Sequence, residues 1–115
     1  MKNIVTKVIY PSTALTSGVT YYSEAISFKR SEGFAGIRII TDGSVTVTQQ
    51  CSLDGTTFYD PIDTDGNALG KVCTALGADA FIQPDVVTAP YIRYKIVANA
   101  GITFAMKSAM IEETC

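Results

Sequence analysis

Residues 34–60 read FAGIRIITDGSVTVTQQCSLDGTTFYD, and the fold turns on how this stretch is read. Ile37 and Ile39 alternate with Arg38 and Ile40. Beyond Asp42-Gly43, the set Val45, Val47, Gln49 and Cys51 alternates with Thr46, Thr48 and Gln50. A period of two sends successive side chains to opposite faces of a strand, so each run predicts a strand with one dry and one wetter face. Asp-Gly between two such runs predicts a hairpin, because both central residues of a type I′ turn need positive φ. A second Asp-Gly, at Asp54-Gly55, delivers an aromatic pair, Phe58-Tyr59.

The same period extends outward. Residues 3–10 carry Ile4, Val5, Val8 and Ile9 and predict a first strand that ends at Pro11, since proline cannot donate to a ladder. Residues 12–18 read as a polar loop. Residues 19–28 are rich in β-formers, with a parity break at 23–25 that predicts a bulge. Residues 29–33 read as a turn. Residues 69–77 read as a short strand or a single turn, and Ala80-Phe81-Ile82 as a short extended piece ended by Pro84. Residues 90–98 predict a strand with Ile92, Tyr94, Ile96 and Ala98 inward and Tyr91, Arg93, Lys95 and Val97 outward. Asn99-Ala100-Gly101 turns the chain into a partner strand, 102–111, with Ile102, Phe104, Met106, Ser108 and Met110 on one face. About eight short strands with regular turn signals and no helix predict an all-β fold, an antiparallel β-sandwich or jelly-roll-like Greek key.

At 115 residues the chain is one domain, residues 1–115. Charged residues make up only 17%. That is lean for a soluble domain, and predicts either a face covered by a partner or a well-packed monomer with a Ser/Thr surface. Net charge is −2, and Lys29-Arg30 are the only adjacent cations. With no basic stripe to neutralise phosphates, nucleic acid is not an expected partner. Thr6 and Lys7 interrupt any apolar leader, and no run approaches the ~20 residues of a membrane span, so synthesis in a cytoplasm and no membrane are expected. The cysteines, Cys51, Cys73 and Cys115, are odd in number and match no metal or redox spacing. Cys51 reads as a buried free thiol, and Cys115 as an exposed thiol or an intermolecular link.

The chain contains no histidine. That removes Ser-His-Asp and Cys-His catalysis and the commonest metal ligand. No GxSxG, SxxK or phosphate-loop spacing appears. A non-enzyme without a cofactor is therefore expected. The acidic run DPIDTDGN holds Asp60, Asp63, Asp65 and Asn67. Against the EF-hand pattern Asp63, Asp65 and Gly66 fit the third, fifth and sixth positions, but Pro61 and Val72 occupy the first and twelfth, which rejects it. Two readings stay open: a less regular calcium loop, and turns in which Asp and Asn bind their own backbone. For protein contact the outward aromatic and charged positions are Tyr10, Tyr21, Tyr59, Tyr91 and Arg93, tyrosine and arginine being enriched at interfaces.

Three pieces carry a family resemblance: the strand-turn unit VTVTQQCSLDGTTFYDPID, of the form strand-Ser-x-Asp-Gly-x-x-aromatic; the strand Ala89-Pro90-Tyr91-Ile92-Arg93-Tyr94-Lys95-Ile96; and the closing strand ITFAMKSAMIEE. From about Tyr21 onward the chain resembles the β-sandwich accessory proteins encoded among tailed-bacteriophage head and tail genes, some of which decorate and cement capsids. The resemblance implies a virion structural protein, a homo-oligomer that binds the major capsid protein or other virion proteins, with no catalytic residues. Similar strand pairs occur in galactose-binding-like carbohydrate modules, which implies an alternative, a glycan-binding module of a tail fibre or surface protein; the tryptophan such modules often use is absent. A tail, baseplate or neck component is the third reading.

Overall fold

The structure, a computed structural model, describes residues 2–27, 31–83, 87 and 89–113; of residues 2, 3, 5, 31–35 and 110–113 it describes the backbone only. The described residues form strands β1 (Lys2–Leu15), β2 (Thr20–Tyr22), β3 (Ile26–Ser27), β4 (Ser31–Thr41), β5 (Val45–Ser52), β6 (Lys71–Leu76), β7 (Ala80–Ile82), β8 (Tyr91–Ala98) and β9 (Ile102–Glu113), with no helix among them. They make two antiparallel sheets, a β-sandwich. The first has the order β1-β9-β4-β7. The second has the order β2-β8-β5-β6, with β3 also paired to β8.

The inner faces close on one apolar core. It draws Ile9 and Leu15 from β1, Ile37 and Ile39 from β4, Val45 and Val47 from β5, Ile92, Tyr94 and Ile96 from β8, and Ile102, Phe104 and Met106 from β9. Those from β4, β5, β8 and β9 are the alternating positions read from the sequence, whereas Leu15 comes from a stretch read there as polar loop. Burying each such side chain stabilises the fold by about 1.5–3 kcal/mol before chain entropy is subtracted.

The connections differ from the sequence reading. Strands β4 and β5 do not form a hairpin, since each lies in a different sheet. Among the described residues positive φ occurs at Gly18, Gly55, Gly66, Gly70 and Ala75, and not at Gly43, so Asp42-Gly43 is no type I′ turn. The link 99–101 likewise carries β8 of the second sheet into β9 of the first. The physical reason is common to both. Each strand has an apolar face of its own, and crossing from one sheet to the other turns both faces onto the same core. The two crossings are joined. The Thr103 N–H donates to Asp42 Oδ1 at 2.8 Å, and the Asn99 N–H donates to the Ser44 carbonyl at 2.9 Å. Gly43 is required for close approach, because a Cβ there would stand 2.6 Å from Ile102 Cγ2.

Pro11 does not end the first strand, and residues 12–15 are not loop: β1 continues to Leu15 with register shifts between Val8 and Tyr10 and between Tyr10 and Thr13. A proline is tolerated there because β1 is an edge strand and the ladder is already irregular. Residues 31–33, read as part of a turn, belong to β4. Residues 28–30, Pro84 and Cys115, and the Met110 side chain, lie outside what is described. The parity break at 23–25 is real. Ser23 N–H donates to the Tyr94 carbonyl at 2.9 Å, and the Ser23 hydroxyl replaces a ladder carbonyl by accepting the Tyr94 N–H at 2.8 Å. Residues 69–77 resolve into a strand, β6. Cys51 and Cys73 are free thiols, but Cys51 is half-buried where full burial was expected. Burial pushes both thiols up from their ordinary value, so neither is a thiolate at neutral pH.

A candidate protein-contact face on the second sheet

The outer face of the second sheet carries an ordered cluster of aromatic and charged side chains. Its base is Arg93 on β8. The guanidinium lies between two rings, its central carbon 4.1 Å from the centroid of Tyr22 on β2 and 4.2 Å from that of Phe58. Its Nε donates to Gln50 Oε1 at 2.8 Å, and Gln50 Nε2 donates to Asp60 Oδ1 at 2.9 Å. Gln50 and Arg93 are direct cross-strand partners. Gln50 belongs to the wetter parity of β5, yet it is only 7% exposed because Arg93 and Asp60 close over it. A cation stacked between rings gains about 0.5–2 kcal/mol per contact, and here it also fixes the plane of the guanidinium.

The loop after β5 delivers Phe58 and Tyr59. Ser52 is 2% exposed. Its hydroxyl donates to Asp54 Oδ1 at 3.0 Å and accepts the Gly55 N–H at 2.9 Å. Asp54 Oδ1 also accepts the N–H groups of Thr56 and Thr57 at 2.8 and 2.9 Å. These donors, Thr57 first, then Thr56 and the Ser52 hydroxyl, hold the Asp54 carboxyl below the ordinary aspartate range. Gly55 takes φ 80°, the left-handed value this turn needs. The chain then returns to pair Tyr59 with Cys51 through two backbone hydrogen bonds of 2.9 Å. That places Phe58 over Arg93 and leaves Tyr59 exposed.

Beyond it, Ile62 and Ala68 bridge across a tight turn. Asp63 Oδ1 accepts the N–H groups of Asp65 and Asn67, and Asp63 Oδ2 accepts from Asn67 Nδ2 at 3.2 Å. Both Asp63 oxygens are thus engaged within the turn, and Asp60 is engaged with Gln50. Among the described residues no three His, Cys, Asp or Glu side chains gather as a metal site. The small hairpin leans on the sheet to leave a cleft of about 230 Å³ lined by Thr48, Gln49, Asp60, Pro61, Ile62, Ala68, Leu69 and Lys95. A second cleft of about 200 Å³ lies between Cys51, Ser52, Leu53, Tyr59, Pro61 and Ala89. Leu53, Tyr59, Ile62 and Leu69 are exposed around these clefts, as is Tyr22 beside Arg93.

The tyrosines and the arginine picked from the sequence are therefore divided. Tyr59, Tyr91 and Arg93 belong to this region, Tyr91 half-buried with its ring against Gly55. Tyr10 and Tyr21 lie elsewhere and pack against the core. Tyr10 meets Phe104 edge-on at 5.7 Å, and the Tyr21 hydroxyl accepts the Thr16 N–H at 3.0 Å. Tyr22 and Phe58, the two rings that hold Arg93, were missed. The signal for Tyr22 was its parity, opposite to Tyr21; for Phe58 it was its place directly before Tyr59 in a loop that pins its own backbone.

Aromatic and aliphatic side chains around a fixed arginine are the composition of a protein-contact centre. No family model matches this chain, and no curated protein matches it. Over 97% of its length the chain is similar in structure to the SPBc2 prophage-derived protein YomS, 96% of which is covered, with a TM-score of 0.58 and 12% sequence identity; the two share a fold.

Proposed function

We propose that this chain is a structural protein of a tailed-phage particle, and within that class a decoration (cementing) protein that binds the assembled head as a homo-oligomer. It performs no chemistry and takes no cofactor; its partners are the major capsid protein or other virion proteins. The observation that carries the reading is the outer face of the second sheet, where Arg93 is held flat between Tyr22 and Phe58, with Leu53, Tyr59, Ile62 and Leu69 exposed on the chain between β5 and β6. The shared fold with a prophage-derived protein supports a phage setting. In this reading the preorganised arginine loses little side-chain entropy on docking.

Particles purified from a lysate of the source phage test the reading. The chain is expected in them at a copy number matching a repeating shell site, and on heads rather than tails by immunogold microscopy. Arg93→Ala is expected to weaken rebinding to stripped heads. Absence from purified particles overturns the proposal, and label on tails or necks replaces decoration with a tail, baseplate or neck role. The cleft bordered by Asp60 and Lys95 favours glycan binding as second reading. A glycan array with the intact protein, compared with Lys95→Ala, decides it.

A further inference from the structure

We propose that the outer edge of β1 over residues 4–8 is the self-association surface, paired antiparallel with the same edge of a second copy about a two-fold axis at Thr6. This deepens the homo-oligomer part of the reading above and stands apart from where the protein sits in a particle. Strand β1 is terminal in the first sheet, and among the described residues no strand covers its outer edge. The other terminal strands are poor templates. Strands β2 and β7 have three residues each, and β6 carries Ala75 at φ 51° and an irregular register.

Within β1 the protection against edge pairing is one-sided. Pro11 and both register shifts lie between Val8 and Thr13, and the Ile9 carbonyl is taken by the Glu24 N–H at 2.9 Å. Residues 2–8 instead run in unbroken register against 107–113. Lysine is a common edge guard, but Lys7 is tied to Glu24 at 2.7 Å. Large apolar side chains stand exposed there: Ile4 at 74% and Val8 at 50%, with exposed Thr6 between them on the same face.

The occupant follows from that spacing. An antiparallel pair centred on Thr6 sets Ile4 opposite Val8 of the second copy, and Val8 opposite Ile4, at the distance where cross-strand pairs interact. It sets Lys7 opposite position 5, so the two lysines do not face one another. One surface thus satisfies both copies, as an isologous contact requires. The two four-stranded first sheets become one continuous sheet.

Sedimentation equilibrium and cysteine cross-linking, both in a Cys115→Ser background, test this. The parent is expected to have twice the 12.3 kDa chain mass. Ile4→Lys/Val8→Lys changes two exposed side chains and places like charges opposite each other, so self-association is expected to fall on the order of 100-fold, recovered by mixing with Ile4→Glu/Val8→Glu. Thr6→Cys is expected to oxidise to a covalent dimer, because directly opposed residues of an antiparallel pair have Cα atoms about 4.5–5.5 Å apart, within disulfide reach. Ile4→Cys is expected to cross-link far less. A monomeric parent, a double-lysine variant of unchanged mass, or equal cross-linking at positions 4 and 6 overturns the proposal. Particle binding by a strictly monomeric protein would sink this edge contact and leave the virion reading standing.

Discussion

Gln49→Glu tests the most consequential buried polar contact in the sandwich. Gln49 is 1% exposed. Its Nε2 donates to the Val87 carbonyl at 2.8 Å and reaches Cys51 Sγ at 3.4 Å, while its Oε1 accepts the Val87 N–H at 3.2 Å. One side-chain amide thus serves both backbone groups of Val87, as a neighbouring strand would, and ties the link between β7 and β8 to the core. Glutamate keeps the acceptor and loses the donor. Its second oxygen would face the Val87 carbonyl oxygen with no counter-ion beside it. An uncompensated buried charge costs about 3–5 kcal/mol, and half-buried Val87 leaves some access to water, which favours the low end. The expected loss at pH 8 is about 3 kcal/mol, a large share of the roughly 5–15 kcal/mol that holds a domain together.

The sign of the pH dependence follows. Burial without a partner raises the folded pKa of the new carboxyl above its unfolded value of about 4.3. The penalty is therefore complete above the folded pKa, shrinks as pH falls from there, and is gone below about 4.3. There the neutral carboxyl donates to the Val87 carbonyl as the amide did. At about 1.4 kcal/mol per pKa unit, a 3 kcal/mol penalty spreads over about two pH units. Urea titrations from pH 4.5 to 8 on both proteins measure it, with Gln49→Leu as a pH-flat control. A loss equal at both ends of that range, or no loss at pH 8, refutes the role assigned to this amide.

Three further outcomes are expected. The Tyr94 hydroxyl is fully buried with no hydrogen-bond partner among the described residues, and burial raises its pKa. Tyr94→Phe should be neutral or stabilising by up to about 1 kcal/mol, and a loss above that in chemical denaturation would reveal a partner. Gly43→Ala drives a methyl into Ile102 at 2.6 Å and should cost about 1–3 kcal/mol. Combined with Ile102→Ala, which removes the clashing methyl, it should cost less than the sum of the two changes, as a double-mutant cycle measures. Asp54 has its pKa lowered by the Thr57 and Thr56 N–H groups and the Ser52 hydroxyl. The stability it lends is full above the unfolded value of about 3.9 and is lost as pH falls through the lower folded value. Asp54→Asn should lower the melting temperature at neutral pH and flatten the acid limb of the curve.

Strand content was legible because core-facing side chains recur at every second residue in β5, β8 and β9. Strand partnership was not. The turn chemistry of Asp42-Gly43 and Asn99–Gly101 looks alike whether a chain reverses within a sheet or crosses to the other one, and the deciding contact, Asp42 to Thr103, joins residues far apart in sequence. Of the named strands only β5 and β6 pair as sequence neighbours, so local signals carried little of the topology. Pro11 misled for a related reason: proline stops a ladder only where its nitrogen must donate, and β1 is an edge. At the contact face Arg93 and Tyr59 were legible as outward positions. The clamp itself was not, because Tyr22, Gln50 and Phe58 reach Arg93 from β2, β5 and the loop after β5.

The two surfaces are geometrically coupled, and the coupling has a consequence. Residues opposed across an antiparallel pair point to the same face. A β1 dimer therefore aligns the outer faces of both first sheets on one side and sets both second sheets on the other. Two copies of the Arg93 face then look in the same direction, related by the two-fold axis. A partner that presents its binding site in a regular array can meet both at once, and linked sites of that kind strengthen attachment by about 10²–10⁴ without any new contact. Ile4→Lys/Val8→Lys leaves Tyr22, Arg93 and Phe58 untouched in each copy. It should still loosen attachment to an assembled, repeating surface by far more than it changes binding to one isolated partner subunit. Surface plasmon resonance with the array and with the subunit immobilised separately compares the two; equal losses on both would break the link between the edge and the face.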